Sequence, residues 1–157
     1  MTFNLLSLII CITIPLIIGF LGSIFTTNSV KTWYKTIKKP IFNPPNWIFG
    51  PVWTALFILM GISLYLIVSY GFGYSGVKLA LIVFAIQLVL NLFWSILFFG
   101  LHKPLFALIE IFILWIAILV NIIICFEISP ISAYLLIPYL LWVTFASILN
   151  FSIVLLN

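Results

Sequence analysis

The sequence contains no arginine and no aspartate. Its 157 residues carry six basic side chains, all lysine, two acidic ones, Glu110 and Glu127, and one histidine, so that 5 % of the chain is charged. A soluble domain carries roughly 25 % charged residues, because its surface must be hydrated. That shortage excludes a soluble enzyme, a disordered chain and a water-exposed nucleic-acid binder. Cysteine is scarce as well. Cys11 and Cys125 both lie inside apolar runs and form no CxxC, CxxCH or metal-type spacing. They read as small buried hydrophobes, with no disulfide framework, no c-type haem site and no metal site expected. Residues 1–25 lack a basic leader segment, and no small-x-small cleavage site follows them, so this stretch is expected to be retained as a first helix.

What is present is hydrocarbon. Hydrophobic residues make up 66 % of the chain and the mean hydropathy is +1.45. A helix needs roughly 20 apolar residues to cross a bilayer, and five stretches qualify, at about 4–25, 48–70, 78–99, 105–125 and 131–155. Gly or Pro punctuates every separator. The runs are continuous rather than alternating, which excludes a β-barrel. The expectation is an all-α integral membrane bundle, one domain over residues 1–157, with the segment 26–47 as the longest connection.

Five spans put the termini on opposite faces. Lys31, Lys35, Lys38, Lys39, Lys103 and His102 then share one side, against Lys78 and Glu127 on the other. The excess of positive charge places the first loop and the C-terminus in the cytoplasm. Lysines clustered beside a span also contact lipid headgroups.

Intramembrane polar groups are costly in lipid and so belong inside the bundle. Counted from the Lys-rich ends of their spans, Asn91, Glu110 and Asn150 lie at similar depth, roughly 8–12 Å below the surface at 1.5 Å per residue. One polar layer from three helices is expected, with Gln87 one turn deeper. Helix-to-helix hydrogen bonding is the plain reading of these groups, and a ligand site the sharper one. Gln87, Asn91 and Trp94 share one helix face, as do Tyr139, Trp142, Ala146 and Asn150. Trp53 and Phe57 share another near the same end. Gly19, Gly22 and Ser23 let helices approach or leave room for a guest. Trp33, Trp47 and Trp94 suit an interfacial belt, whereas Trp142 lies too deep for one and wants a partner or a ligand face. Pro15 and Pro138 each free a carbonyl, of Cys11 and Tyr134, and predict a kink or, alternatively, a pocket. The first loop holds two Trp, a Tyr, a Phe and three Pro between Trp33 and Trp47. It is expected to pack as a lid over the Lys-rich mouth, its prolines limiting the entropy lost on ordering.

These residues resemble the translocator protein family, also called tryptophan-rich sensory protein or peripheral-type benzodiazepine receptor. The resemblance rests on Trp33-Tyr34, Lys39-Pro40, Pro44-Pro45-Asn46-Trp47, Phe49-Gly50-Pro51 with Trp53-Thr54, Met60-Gly61, and Gln87 with Asn91 and Trp94. It continues through Phe98-Phe99-Gly100, Glu110, Ser129-Pro130, Pro138-Tyr139 with Trp142, Phe145-Ala146 and Leu149-Asn150. The match is colinear over about residues 15–157. It implies a five-helix bundle, usually a homodimer, whose pocket is closed by the first loop. It also implies binding of tetrapyrroles (haem, protoporphyrin) as ligand rather than required cofactor, of benzodiazepine-type and isoquinoline carboxamide compounds, and of sterols in some members. By motif match the pocket takes in Tyr34, Pro40, Trp53, Phe57, Asn91, Trp94, Trp142, Ala146 and Leu149. Some bacterial members degrade porphyrin in light, with counterparts of Trp53 and Trp142 taking part. The tail after Asn150 lacks the Tyr and Arg of the animal family's proposed cholesterol motif, which lowers the expectation of a sterol ligand. The short termini fit a prokaryotic cell membrane.

Three functions follow as alternatives: a receptor or carrier for a flat amphipathic molecule, a light-dependent porphyrin-degrading enzyme, or a sterol- or lipid-binding scaffold. No nucleophile and base stand at a spacing that supports ordinary catalysis.

Overall fold

The structure is a computed structural model that describes residues 4–157. Among these residues there is no strand, and five helices are long and apolar enough to cross a membrane. They are α1 (Leu5–Lys31), α3 (Asn46–Val68), α4 (Val77–Ser95), α5 (Pro104–Ile128) and α6 (Pro130–Leu156), with a short α2 (Trp33–Thr36) in the first connection. A π-helical turn, Ile96–Gly100, prolongs α4.

Several boundaries differ from the sequence expectation. α1 continues to Lys31 rather than stopping near residue 25. Its polar last turns satisfy themselves: Thr26 and Thr27 hydroxyls donate to the carbonyls of Gly22 and Ser23, and no Gly or Pro intervenes before Pro40. The connection between α5 and α6 shrinks to Ser129, whose side chain accepts from the Ser132 N–H and caps α6, with Pro130 at its first position. Pro15 and Pro138 sit within continuous helices, and neither opens into the cavity described below.

Each long helix packs on two main neighbours, in the order α1–α3–α6–α5–α4 and back to α1. The half of this ring remote from the lysine cluster is solid. Ser63 and Ser132 hydroxyls lie 2.7 Å apart, each also within bonding distance of the other residue's carbonyl, which ties α3 to α6. Met60, Val77, Ala80, Ile118, Ala133 and Leu136 fill the space between. Gly61 brings α3 onto α1: a Cβ placed there would lie 2.9 Å from the Cys11 carbonyl oxygen and closer still to the Ile12 backbone. That oxygen is the acceptor Pro15 leaves free, so the missing hydrogen bond is accommodated at a backbone-to-backbone seam.

The first connection is ordered, as its aromatic content predicts. The Trp33 ring stacks on His102 at 4.5 Å between centroids and meets Phe98 edge-on. Tyr34 is buried, and its hydroxyl donates to Asn43 Oδ1 at 2.7 Å. Burial pushes the Tyr34 phenol up to about 12, the Asn43 contact opposing part of that rise. Lys39 Nζ donates to the carbonyls of Tyr34 and Ile37 and lies over the Tyr34 ring. Asn157 closes the far side, exchanging two hydrogen bonds of 3.0 Å with the Lys38 backbone. Trp33 is therefore a packing residue rather than part of an interfacial belt, while Trp47 is 73 % exposed, as a belt residue would be.

Candidate functional site

The Lys-rich half of the bundle is hollow. A cavity of about 560 Å³ lies between the second half of α1, the start of α3, the end of α4 with its π-turn, and the end of α6. This is within the range of roughly 300–1,000 Å³ typical of small-molecule sites. α5 stands behind and contributes no wall.

Gly19 and Gly22 line the cavity where α1 comes closest to its neighbours. A Cβ on Gly19 would lie 3.1 Å from Phe57 Cζ and nearer to other atoms of that ring, and one on Gly22 would lie 3.2 Å from Ser95 Oγ. Aromatic rings supply the opposing walls. Trp53 stacks on Phe57 at 5.5 Å and meets Tyr139 edge-on. Trp94 stacks on Phe98 at 5.3 Å. Trp142 packs against Phe49 and Phe145.

Polar groups are few and fixed. Asn91 Nδ2 donates to the Tyr139 hydroxyl at 3.0 Å, joining α4 to α6. Trp94 Nε1 donates to Asn150 Oδ1 at 3.2 Å, and Asn150 Nδ2 donates to the Pro104 carbonyl at 2.8 Å. Both asparagines thus bond helix to helix and also line the cavity. Trp142 Nε1 is different, being buried with no hydrogen-bond partner. An unpartnered buried donor costs roughly 1–3 kcal/mol.

Of the nine residues singled out in the sequence, Tyr34, Trp53, Phe57, Asn91, Trp94, Trp142, Ala146 and Leu149 line the cavity. Pro40 does not. It stands in a turn outside the lining, its carbonyl accepting from the Asn43 N–H at 3.0 Å. The expected three-helix polar layer also divides: Asn91 and Asn150 reach the cavity, but Glu110 is buried off it, and neither of its oxygens has a hydrogen-bond partner. Gln87 is likewise buried and unpartnered. Sequence reasoning missed Phe49, Phe98 and Phe99 as wall residues and Lys31 as the charged one. Phe49 was within reach of it, since Phe49, Trp53 and Phe57 recur every four residues on one face. Phe98 was too, since it continues the face of Gln87, Asn91 and Trp94 at i+11, whereas Phe99 lies one residue off that face in the π-turn.

The Glu110→Gln substitution keeps side-chain shape and removes no hydrogen bond seen here. Stability should change by about 1 kcal/mol or less, and ligand affinity by no more than about threefold. Loss of binding at unchanged melting temperature would put the carboxyl in the site instead.

A ring of five membrane-spanning helices enclosing an aromatic cavity near one surface defines a multi-pass membrane protein of the small-molecule-binding kind. The chain belongs to the TspO/MBR family, whose model matches residues 11–156. It is 51 % identical over 155 residues to Tryptophan-rich protein TspO of Archaeoglobus fulgidus, covering 98 % of this chain and 99 % of that one. To Tryptophan-rich protein TspO of Chlorobaculum tepidum it is 46 % identical over 154 residues, 98 % of each chain. Translocator protein of Homo sapiens is 33 % identical over 135 residues, 85 % of this chain and 80 % of the relative.

Proposed function

We propose that this protein is a membrane receptor or carrier for a flat amphipathic tetrapyrrole such as haem or protoporphyrin. Benzodiazepine-type and isoquinoline carboxamide ligands would occupy the same cavity. The observation that carries this reading is the cavity wall itself, with indoles of Trp53, Trp94 and Trp142 contributed by three helices. Aromatic faces suit stacking on a conjugated ring. Lys31 is the charged side chain at the rim, placed for a carboxylate. Haem is ligand here, not a required cofactor, and the proposed assembly is a homodimer. The higher identity to the Archaeoglobus fulgidus and Chlorobaculum tepidum relatives than to the Homo sapiens one supports a prokaryotic cell membrane.

A second reading draws on Trp53 and Trp142, both in the wall and both able to give up an electron to a photo-excited porphyrin. One experiment separates the two. Protoporphyrin is titrated into purified protein in the dark and challenged with an isoquinoline carboxamide, then the complex is illuminated. The receptor reading expects saturable, displaceable binding and absorbance that survives illumination. Loss of porphyrin absorbance under light but not in the dark, abolished in Trp142→Phe, would establish photochemistry. Absence of any binding would leave the sterol- or lipid-binding scaffold.

The orientation is proposed from the lysine asymmetry, with the first connection and C-terminus cytoplasmic. Ile41 on that connection is fully exposed and Tyr74 on the opposite face is exposed, whereas the native Cys11 and Cys125 are buried. In intact cells an impermeant maleimide should label Tyr74→Cys and spare Ile41→Cys until the membrane is permeabilised. The reverse pattern would overturn the orientation.

A further inference from the structure

Every exposed residue of the cavity lining belongs to α1 or α3; those of α4, the π-turn and α6 are buried or half-buried. On α1, Phe20, Ser23 and Thr27 follow i, i+3, i+7, and on α3, Gly50 and Thr54 follow i, i+4, so each set is one edge of its helix. Residues that line an interior and are also exposed, on facing edges of neighbouring helices, border a gap between them. The gap runs about 17 Å along α1, from Phe20 to Lys31, at 1.5 Å per residue. It ends inward where Gly19 meets the Phe57 ring, and below that the Gly61 seam holds the helices together. Its outer end is marked by Lys31.

The rim is suited to hydrocarbon. Ser23 Oγ donates to the Phe20 carbonyl at 2.7 Å, Thr27 Oγ1 to that of Ser23 at 2.8 Å, and Thr54 Oγ1 to that of Gly50 at 2.9 Å. Their hydrogens are engaged within their own helices, leaving methyl and methylene groups outermost. Gly50 adds nothing, and a Cβ built there meets no atom of a neighbouring helix within 4 Å. The axial route is the opposite case. The first connection is pinned by the Tyr34–Asn43 bond, by Lys39 on two carbonyls and by the Asn157–Lys38 pair.

We infer that ligand enters and leaves the cavity sideways, through the gap between α1 and α3, from the membrane leaflet on the Lys-rich side. This rests on the cavity being the ligand site, and it narrows the ligand class. The molecule reaches the protein dissolved in the bilayer, thin enough to pass edge-on, with any carboxylate held at the level of Lys31.

A plug in the gap tests this, because an obstruction on the path slows passage in both directions. Protein in phosphatidylcholine nanodiscs is mixed with protoporphyrin in the dark, and tryptophan quenching is followed by stopped flow. Gly50→Phe and Thr27→Phe, from opposite edges, should each slow association and dissociation together by about tenfold or more, whereas a lost wall contact would raise dissociation alone. Asn157→Ala, which unpins the first connection, should move neither rate beyond about twofold. If either phenylalanine variant is not monodisperse, Gly50→Leu repeats the test with a smaller plug. Unchanged rates in the plugged variants with faster rates in Asn157→Ala would overturn the inference in favour of passage beneath the lid. A dimeric wild type that becomes monomeric in Gly50→Phe would overturn it too, because a second copy would then cover the gap. Wild-type protein that shows no saturable quenching would instead remove the cavity reading, and the inference with it.

Discussion

Replacing Ala146 with threonine is expected to weaken protoporphyrin binding about 5- to 150-fold, the equivalent of roughly 1–3 kcal/mol of overpacking. Ala146 is buried and lines the cavity one helical turn from Trp142 and one from Asn150, both also in the wall. A small side chain between two large ones leaves a notch, and a flat molecule stacked on Trp142 would fill it. The added hydroxyl can bond back to the preceding turn, as Ser147 already does to Val143 at 2.8 Å, so the helix itself should tolerate the change. Melting temperature without ligand should therefore move little. If Ala146 serves only helix packing, the outcome inverts, with a large fall in melting temperature and unchanged affinity. Isothermal binding and thermal unfolding on the same variant distinguish the two.

The largest effect on stability is expected at Gly61. An alanine Cβ there would press on the Ile12 backbone and the Cys11 carbonyl, atoms that cannot rotate away as a side chain can. Relieving the contact means separating α1 from α3 along the seam that holds the packed half together. Overpacking of this kind costs typically about 1–3 kcal/mol and occasionally more. For a chain of this size each kcal/mol is worth about 2–4 °C, so Gly61→Ala should lower the melting temperature by roughly 2–12 °C. Gly50→Ala is the matched comparison, at a helical glycine with open space around it. It should be close to neutral, the helix-propensity gain of up to about 1 kcal/mol being opposed by the steric cost of a Cβ before Pro51. Equal effects at the two glycines would mean that the α1–α3 seam is not close-packed.

The sequence makes the spans legible because lipid imposes a single requirement, an unbroken apolar helix long enough to cross. It makes most of the cavity wall legible because aromatic and amide residues recur at helical spacing, as in Asn91 with Trp94 and Trp142 with Ala146 and Asn150. What escapes it depends on rotation and on partners. Glu110 has the right depth for the polar layer but belongs to α5, which stands behind the cavity wall, and depth alone does not say which helices form that wall. Pro40 belongs to the same connection as Tyr34, yet only Tyr34 reaches the cavity wall. The extension of α1 to Lys31 reverses the usual meaning of a polar stretch, since its threonines bond their own helix. The gap between α1 and α3 is invisible in the sequence because it is defined by which lining residues are also exposed.

The most direct test of the ligand site is a dark titration of tryptophan fluorescence with protoporphyrin. Trp53, Trp94 and Trp142 all lie in the wall, so a guest in the cavity must contact the chain's own fluorophores. The account predicts saturable quenching at micromolar ligand, reversed by an isoquinoline carboxamide and weakened in Ala146→Thr. Linear, unsaturable quenching that neither the competitor nor the substitution alters would contradict it.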